Sequence, residues 1–262
     1  MESKEYHDIL NIVADTVIKW YEQTHTTMNI AIELFTGLDV ELMGILLAAK
    51  KQTLGALTTL ANKHILSTHA LLRVLVETFV VLAWALKVST SEKKAKYDEV
   101  YERLKRWELT RLKKDRALLN DLPQTSERQS DISKINSDIE RFEEDGIKEL
   151  PNYEKLFRGL GDKDKPKEVK QWQEGYAKFY RRYSQAVHLN RNVTQRLTWI
   201  QNENQKPTSI LYKEDIEADG DELITIACIS SDINKAIRGF YNWQYNAMQN
   251  EYEQLKSKLV KK

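Results

Sequence analysis

The chain has 262 residues, and its 40 Lys and Arg against 39 Asp and Glu give a formal net charge of +1 at pH 7. This balance gives no global indication of a nucleic-acid or membrane partner, so only a local excess of charge can indicate one. The single cysteine, Cys228, excludes an intramolecular disulfide framework and a cysteine-based zinc cluster, and it is consistent with a reducing cytoplasm.

The first ninety residues predict four helices, since 9 Gly and 4 Pro in the whole chain are too few for a turn-rich β architecture. Lys4–Thr24 has apolar residues at three- and four-residue spacing, and Thr27–Phe35 predicts a short second helix. Asp39 resembles the N-cap of a third helix that runs through Leu60. The fourth, Ile65–Val88, is apolar almost all round, which predicts a position at the centre of a bundle.

The most apolar run, Leu71–Leu86, is interrupted by Arg73 and Glu77. A membrane-spanning helix needs about 20 consecutive apolar residues, so we expect a buried core helix and no membrane association. The first residues, Met1–Glu5, show no apolar segment behind a basic start, so we expect no secretory signal and a cytoplasmic protein.

Residues 91–146 are dominated by charged side chains, with apolar residues reduced to one stripe. Leu122-Pro123 interrupts the pattern, so we predict two long antiparallel helices forming a hairpin. Such an arm is either a solvated structural element or a surface for RNA or a partner protein. The predicted organisation is one all-α domain in which residues 1–90 and 147–262 form the bundle core and 91–146 is a helical-hairpin insertion.

The last part of the chain predicts two further long helices. One runs from Glu168 to beyond His188, after a connector at Pro151–Pro166, and the other spans Asp221–Lys258. Asn202–Asp221 is polar and is predicted to be irregular. No segment alternates clearly enough to predict a strand.

Three polar residues of the central helix, His69, Arg73 and Glu77, follow each other at four-residue spacing and therefore share one stripe. Buried charge is costly unless it is paired, so this stripe requires an explanation. Either Arg73 and Glu77 form an internal ion pair, or the stripe faces a pocket or another polar helix.

The other polar helix is the stretch Tyr180–His188. Helical geometry places Arg181 and His188 on one face, with Ser184 between them, whereas Arg182 lies about 120° from the histidine. Histidine transfers protons near neutral pH, and arginine holds a phosphate through two hydrogen bonds. This face is therefore a candidate site for phosphodiester chemistry.

Residues 170–196 carry a local charge of +5, because six basic residues accompany a single acid, Glu174. The basic residues are Lys170, Lys178, Arg181, Arg182, Arg191 and Arg196. Aromatic residues are interleaved with them, at Tyr176, Phe179, Tyr180 and Tyr183. Basic and aromatic residues together suit phosphate contact and base stacking, so Lys178, Arg191 and Arg196 are candidate RNA contacts. The alternative is that these aromatics belong to the core.

The chemistry that fits these residues is metal-independent RNA cleavage. His188 would act as general base or acid for attack of a 2′-hydroxyl on the adjacent phosphate, and Arg181 or Arg182 would stabilise the pentavalent charge. The sequence has no glycine-rich phosphate loop, no His-Glu-x-x-His and no Cys/His cluster, so we expect neither a cofactor nor a metal.

The spacing Arg182-x5-His188, or Arg181-x6-His188, resembles the Arg-x4–6-His signature of HEPN proteins. Arg73-x3-Glu77 followed by Tyr180-x3-Ser184-x3-His188 further resembles an uncharacterised bacterial family with a HEPN-like bundle. The resemblance implies an RNase of a toxin–antitoxin or anti-phage defence system, completed as a homodimer, with an antitoxin or defence protein as partner. It assigns catalysis to Arg181 or Arg182 and His188, with Arg73, Glu77, Tyr180 and Ser184 in support.

Two hypotheses follow. The first is a HEPN-like ribonuclease with an Arg/His site. The second is a non-catalytic helical binding module, in which Arg73, Glu77, Arg181 and His188 line a pocket for an anionic ligand or form a buried network, and the hairpin binds a partner protein.

Overall fold

The computed structural model describes residues 3–88, 92–123, 125–161, 164–175, 180, 183–184, 198–203, 206–212 and 220–260. Its helices are α1 (Ser3–Ala31), α2 (Gly37–Ala61), α3 (Ile65–Leu86), α4 (Lys93–Asn120), α5 (Ser126–Glu144), α6 (Tyr153–Leu160), α7 (Pro166–Gly175), α8 (Gly220–Phe240) and α9 (Asn246–Val260). Two strands, β1 (Thr198–Glu203) and β2 (Lys206–Tyr212), pair antiparallel. The fold is an all-α helical bundle with one small β-hairpin, which confirms the predicted fold class.

Four helices, α1, α2, α3 and α8, pack against one another and enclose the main hydrophobic core. Each presents a stripe of buried apolar side chains at the three- and four-residue spacing of an amphipathic helix. Fully buried members of these stripes are Val13, Val17, Trp20, Leu42, Leu46, Leu72, Leu75, Ile226 and Ile233. Helices α4 and α6 cover α3 from outside this group, and α9 covers α1 and α8.

Helix α3 is the one described helix that is long and apolar enough to cross a membrane, judged by length and composition. Core helices of soluble proteins pass the same test, and 56% of the most apolar window of α3 is buried inside the bundle. Packing against α2, α4, α6 and α8 accounts for this apolar surface.

Helix α2 begins with a capping box. Thr36 is the N-cap, and its side chain accepts a hydrogen bond from the backbone N–H of Asp39, while the Asp39 carboxylate accepts from the Thr36 backbone N–H at 2.8 Å. The prediction that Asp39 is itself the N-cap was therefore wrong, because Asp39 holds the third helical position of the box. Its second carboxylate oxygen accepts a hydrogen bond from Tyr241, which ties the start of α2 to the end of α8.

Replacement of Thr36 by alanine is expected to destabilise the fold by about 1 kcal/mol, because the first turn of α2 loses its side-chain cap. Thr58, an exposed residue of the same helix, is the matched control, since its hydroxyl donates back to the carbonyl of Leu54 within the helix and caps neither end. Urea unfolding of Thr36→Ala and Thr58→Ala measures both effects. Equal stability of the two variants would contradict a capping role for Thr36.

The charged arm consists of α4 and α5, which pack against each other and correspond to the two helices predicted for this part of the chain. Leu109, Ile139 and Phe142 form a small buried cluster between them, separate from the main core. At the far end, Leu118 and Leu122 are exposed. The arm therefore carries its own apolar contacts beyond the bundle.

Two predicted helix boundaries were wrong. The break expected near Thr24 is absent, because α1 continues to Ala31. The last predicted helix is divided into α8 and α9 by Asn242, which has a left-handed backbone with φ 58°. The Trp243 N–H donates to the Arg238 carbonyl and the Asn242 N–H to the Gly239 carbonyl, the Schellman pattern that ends a helix.

The structure also differs in part from the prediction that Asn202–Asp221 is irregular, because some of these residues form a β-hairpin. The β-hairpin pairs Thr198 with Tyr212 and Glu203 with Lys206, with an irregularity in register between Gln201 and Asn202. The helix predicted from Glu168 to beyond His188 is described only in part, as α7 and as helical backbone at residues 180 and 183–184.

Candidate functional site

The polar stripe of α3 has hydrogen-bond partners within the helix and on neighbouring helices. Arg73 Nε donates to Glu77 Oε1 across 2.9 Å, and each side chain is 21% exposed. The ion pair proposed from the four-residue spacing is present. Because the pair is only partly exposed, further polar contacts are needed to compensate for its lost hydration.

Two tyrosines supply these contacts. Tyr153, the first residue of α6, donates its hydroxyl hydrogen to Glu77 Oε2 across 3.2 Å. The Tyr180 ring lies 4.9 Å from the Tyr153 ring, and the Arg73 guanidinium carbon lies 5.7 Å from the Tyr180 ring centre. The four side chains of Arg73, Glu77, Tyr153 and Tyr180, here called the Arg73 cluster, join α3, α6 and the segment after α7.

The position of Tyr153 is fixed because α6 is anchored at both ends. Asn152 caps its start by accepting a hydrogen bond from the Lys155 N–H at 2.9 Å. At the other end, the Lys87 ammonium donates to the carbonyls of Leu160 at 2.7 Å and Gly161 at 3.1 Å. A cation at the carboxyl end of a helix is also favourable for the helix dipole.

The electrostatics of the Arg73 cluster keep its phenols neutral. Burial raises the pKa of Tyr153, and the negative charge of Glu77 raises it further. The pKa of Tyr180 is raised by the same two causes in the same order. Burial alone would lower the pKa of the Arg73 guanidinium, but the hydrogen bond and charge of Glu77 raise it overall. Both tyrosines are therefore hydrogen-bond donors at neutral pH and not proton acceptors.

One turn earlier on α3, His69 belongs to a second, more deeply buried group. Its Nε2 lies 2.8 Å from Glu222 Oε1, and the two side chains are 6% and 3% exposed. The Tyr183 ring packs 5.1 Å from the His69 ring. The Tyr183 hydroxyl donates to Thr225 across 3.0 Å, so α3, α8 and residue 183 meet here in what we call the His69 cluster.

The polar stripe of α3 and the stretch Tyr180–His188 are therefore neighbours at those residues of both that the structure describes. Tyr180 and Tyr183 place their segment against the His69–Arg73–Glu77 stripe, and Ser184 is partly exposed beside them. Tyr183 is 1% exposed, so its interpretation as a core residue is correct and it does not stack on a base.

The predicted catalytic residues Arg181, Arg182 and His188 lie outside the described residues. The candidate RNA contacts Lys178, Arg191 and Arg196 lie outside them as well. Their assignment remains a prediction from the sequence.

Glu222 and Tyr153 were not identified from the sequence. Glu222 lies four residues before the buried Ile226 and therefore on the apolar stripe of α8. Its spacing could have identified it as a buried acid. Tyr153 follows a helix-capping asparagine in the connector, and nothing local indicates that its hydroxyl meets Glu77. That contact depends on the packing of α6 on α3.

The single cysteine is not a reactive group. Burial raises the pKa of Cys228 to about 11, and the nearby charge of Asp232 adds to this effect. Since the thiolate is the nucleophilic form, Cys228 is a protonated packing residue at neutral pH.

Comparison with known proteins places most of this region in one family. The family of unknown function DUF5677 matches residues 42–207, more than half of the chain. The chain belongs to this family. The match includes the α3 stripe, Tyr153 and the stretch Tyr180–His188, whereas Glu222 lies beyond it. No curated protein and no solved structure matches the chain.

Proposed function

We propose that this member of the DUF5677 family is a HEPN-like, metal-independent ribonuclease. The observation that supports it most is the contact between the Tyr180–Ser184 segment and α3, with Tyr180 5.7 Å from Arg73 and Tyr183 5.1 Å from His69. The segment that contains the predicted catalytic arginine and histidine therefore begins beside Arg73, a cation on the most apolar helix. The local charge of residues 170–196 suits a polyanionic substrate.

In the proposed reaction, one of two arginines, Arg181 or Arg182, holds the scissile phosphate. His188 removes the proton of the 2′-hydroxyl, whose oxygen attacks the adjacent phosphorus, and the bond from phosphorus to the 5′-oxygen breaks as that oxygen takes a proton from water. His188 then returns its proton to the solvent. The products are a 2′,3′-cyclic phosphate and a 5′-hydroxyl end. The arginine stabilises the charge of the pentavalent transition state.

The Arg73 cluster has a supporting role in this proposal. Tyr180 begins the segment and packs on Arg73 and Tyr153, so the cluster would hold the start of the segment whose sequence contains His188. Positioning of this kind contributes to catalysis because reacting groups must be held within a fraction of an ångström. A homodimer would complete the site, and an antitoxin or defence protein would control it in the cytoplasm.

The test is cleavage of total cellular RNA in EDTA by wild type, His188→Ala, Arg182→Ala and Arg181→Ala. His188→Ala is expected to lower the rate by about 10²–10⁴-fold, the contribution of a general acid or base. The arginine variants identify the phosphate-binding residue. Products are analysed for 5′-hydroxyl ends.

His64→Ala is the matched control, since His64 is exposed and its side chain makes no capping hydrogen bond at the start of α3. This variant is expected to cleave as wild type does. Equal rates for wild type and His188→Ala, or no cleavage by either, would refute the ribonuclease.

One observation favours the alternative, a non-catalytic binding module. Glu77 accepts from both Arg73 and Tyr153, and His69 bonds to Glu222, so the described polar stripe is satisfied within the chain. In that case His188→Ala alters stability or partner binding while RNA is never cleaved.

A further inference from the structure

Three buried side-chain oxygens in the α1–α8 part of the core have no hydrogen-bond partner among the residues that the structure describes. They are Thr24 Oγ1 on α1, and Ser231 Oγ and Asn234 Oδ1 on α8, and all three residues are 0% exposed. A buried polar atom without a partner is costly, because it has given up its hydrogen bonds to water. Three such atoms so close along the fold require an explanation.

Helices α1 and α8 are tied together at two levels. Nearer their starts, Tyr21 of α1 and Ser230 of α8 meet at Thr53 of α2, whose hydroxyl oxygen lies 3.2 Å from the tyrosine oxygen and 3.4 Å from the serine oxygen. Farther along, Arg238 Nη1 donates to Thr27 Oγ1 across 3.3 Å. The two helices therefore run in the same direction along this interface.

Thr24 and Asn234 lie between these two levels. Thr24 is three residues from each of the two α1 contacts, and Asn234 is four residues from each of the two α8 contacts, so each lies midway between its contacts in height and in direction around its helix. The two side chains therefore face each other. A threonine hydroxyl can donate to an amide oxygen, yet neither atom has a partner, so they are too far apart to bond directly.

Ser231 lies on the same side of α8. It precedes Arg238 by seven residues, which is within about 20° around a helix, and the Arg238 side chain reaches α1. It also precedes Asn234 by three residues, less than one turn. The Ser231 hydroxyl is therefore the third polar group at this position of the α1–α8 interface.

The orientation of the Asn234 amide is fixed. Its Nδ2 donates to the Ser230 carbonyl across 2.8 Å, and since a carbonyl only accepts, the amide oxygen must point away from that bond. The oxygen is left as an acceptor toward α1. Through Ser230 and Thr53 this amide is already part of a chain of polar contacts that reaches Tyr21.

We propose that an ordered water molecule is bound between Thr24, Ser231 and Asn234 and joins α1 to α8. The water donates to Asn234 Oδ1 and exchanges hydrogen bonds with the two hydroxyls. Buried waters typically make about three hydrogen bonds to polar groups that lack other partners, and this site supplies three. All three groups are uncharged, which favours a neutral molecule over an ion.

The direct test is a crystal structure of the full chain at a resolution that shows ordered waters. A water is expected at hydrogen-bonding distance, about 2.7–3.2 Å, from both Thr24 Oγ1 and Asn234 Oδ1. A direct bond between these two side chains, or no density between them, would overturn the proposal.

Urea unfolding of Thr24→Val tests the same site in solution, because valine keeps the shape of threonine without its hydroxyl. With the water bound, the variant is expected to unfold at a lower urea concentration, since the water loses a partner. A hydroxyl without a partner predicts the opposite, because a methyl group is better suited to a buried position. An unchanged or raised midpoint in Thr24→Val is therefore evidence against the water.

Thr78→Val is the matched control. Thr78 is also buried in a helix, at 4% exposed, and its hydroxyl donates back to the Val74 carbonyl across 2.9 Å. Its midpoint is expected to shift less than that of Thr24→Val. In a background of Asn234→Leu, which removes the amide oxygen, Thr24→Val should lower the midpoint less than it does in wild type, and equal effects in both backgrounds would contradict a shared water.

Discussion

Replacement of Glu222 by alanine is expected to destabilise the fold by about 2–4 kcal/mol, because His69 loses its partner inside the bundle. The two side chains are almost fully buried and 2.8 Å apart, so water does not substitute for the missing carboxylate. Glu222→Gln should cost less, since it keeps the shape and an acceptor oxygen. Urea unfolding gives the free energy of each variant.

Glu253→Ala is the control for this experiment, because Glu253 is an exposed acid of α9. Exposed substitutions of this kind change stability by about 0.5 kcal/mol or less. If Glu222→Ala unfolds with the same free energy as Glu253→Ala, the His69 cluster does not hold α8 to α3.

Replacement of Gly161 by alanine is expected to cost about 1–3 kcal/mol, the usual effect of forcing an atom into a packed site. A Cβ at Gly161 would lie 2.7 Å from the Val169 Cα and 2.8 Å from the Val169 backbone nitrogen. Backbone atoms do not move aside as a flexible side chain does, so α7 must shift. Trp172 of α7, whose ring lies 6.0 Å from that of Phe79, would be displaced with it.

The same substitution at Gly44 is expected to have the opposite sign and to stabilise the chain by about 0.5–1 kcal/mol. A Cβ built on Gly44 would meet no atom of the described residues within 4 Å, so alanine only restores helix propensity. Thermal unfolding of both variants against wild type tests the pair. A Gly161→Ala protein at least as stable as Gly44→Ala would contradict the close approach of α6 and α7.

Local periodicity was sufficient to predict the bundle. Core residues such as Leu72 and Ile233 recur at helical spacing, and that pattern depends only on which side of each helix is buried. The same spacing placed Arg73 and Glu77 one turn apart and made their ion pair one of two explanations of the stripe, and that pair is present. Contacts within one helix follow from its geometry alone.

Contacts between distant parts of the chain could not be predicted in this way. The partner of His69 is Glu222, 153 residues away, and that of Glu77 is Tyr153, 76 residues away. Spacing along the chain carries no information on which helices become neighbours. Only the packing of α6 and α8 on α3 brings these groups together.

The end of α8 and the β-hairpin were not predicted, although the sequence contains weak indications of both. Asn242 ends α8 in the left-handed conformation that asparagine tolerates, although the aromatic residues around it continue the helical pattern. The strands of the β-hairpin contain Thr-Trp-Ile and Ile-Leu-Tyr, residue types that favour strands. The polar residues between them favoured the irregular interpretation.

We propose that the α3 stripe and the Tyr180–His188 segment act together as one ribonuclease site. The most direct test of this proposal is a double-mutant cycle on RNA cleavage in EDTA, with Arg73→Lys, His188→Ala and their combination. Arg73→Lys keeps the charge but loses the planar group that packs on Tyr180.

If the two elements act as one unit, Arg73→Lys slows wild-type cleavage by about tenfold and changes nothing further once His188 is replaced. Circular dichroism spectra of the four proteins establish that each is folded. Cleavage by Arg73→Lys at the wild-type rate, or by His188→Ala at that rate, would contradict the claim.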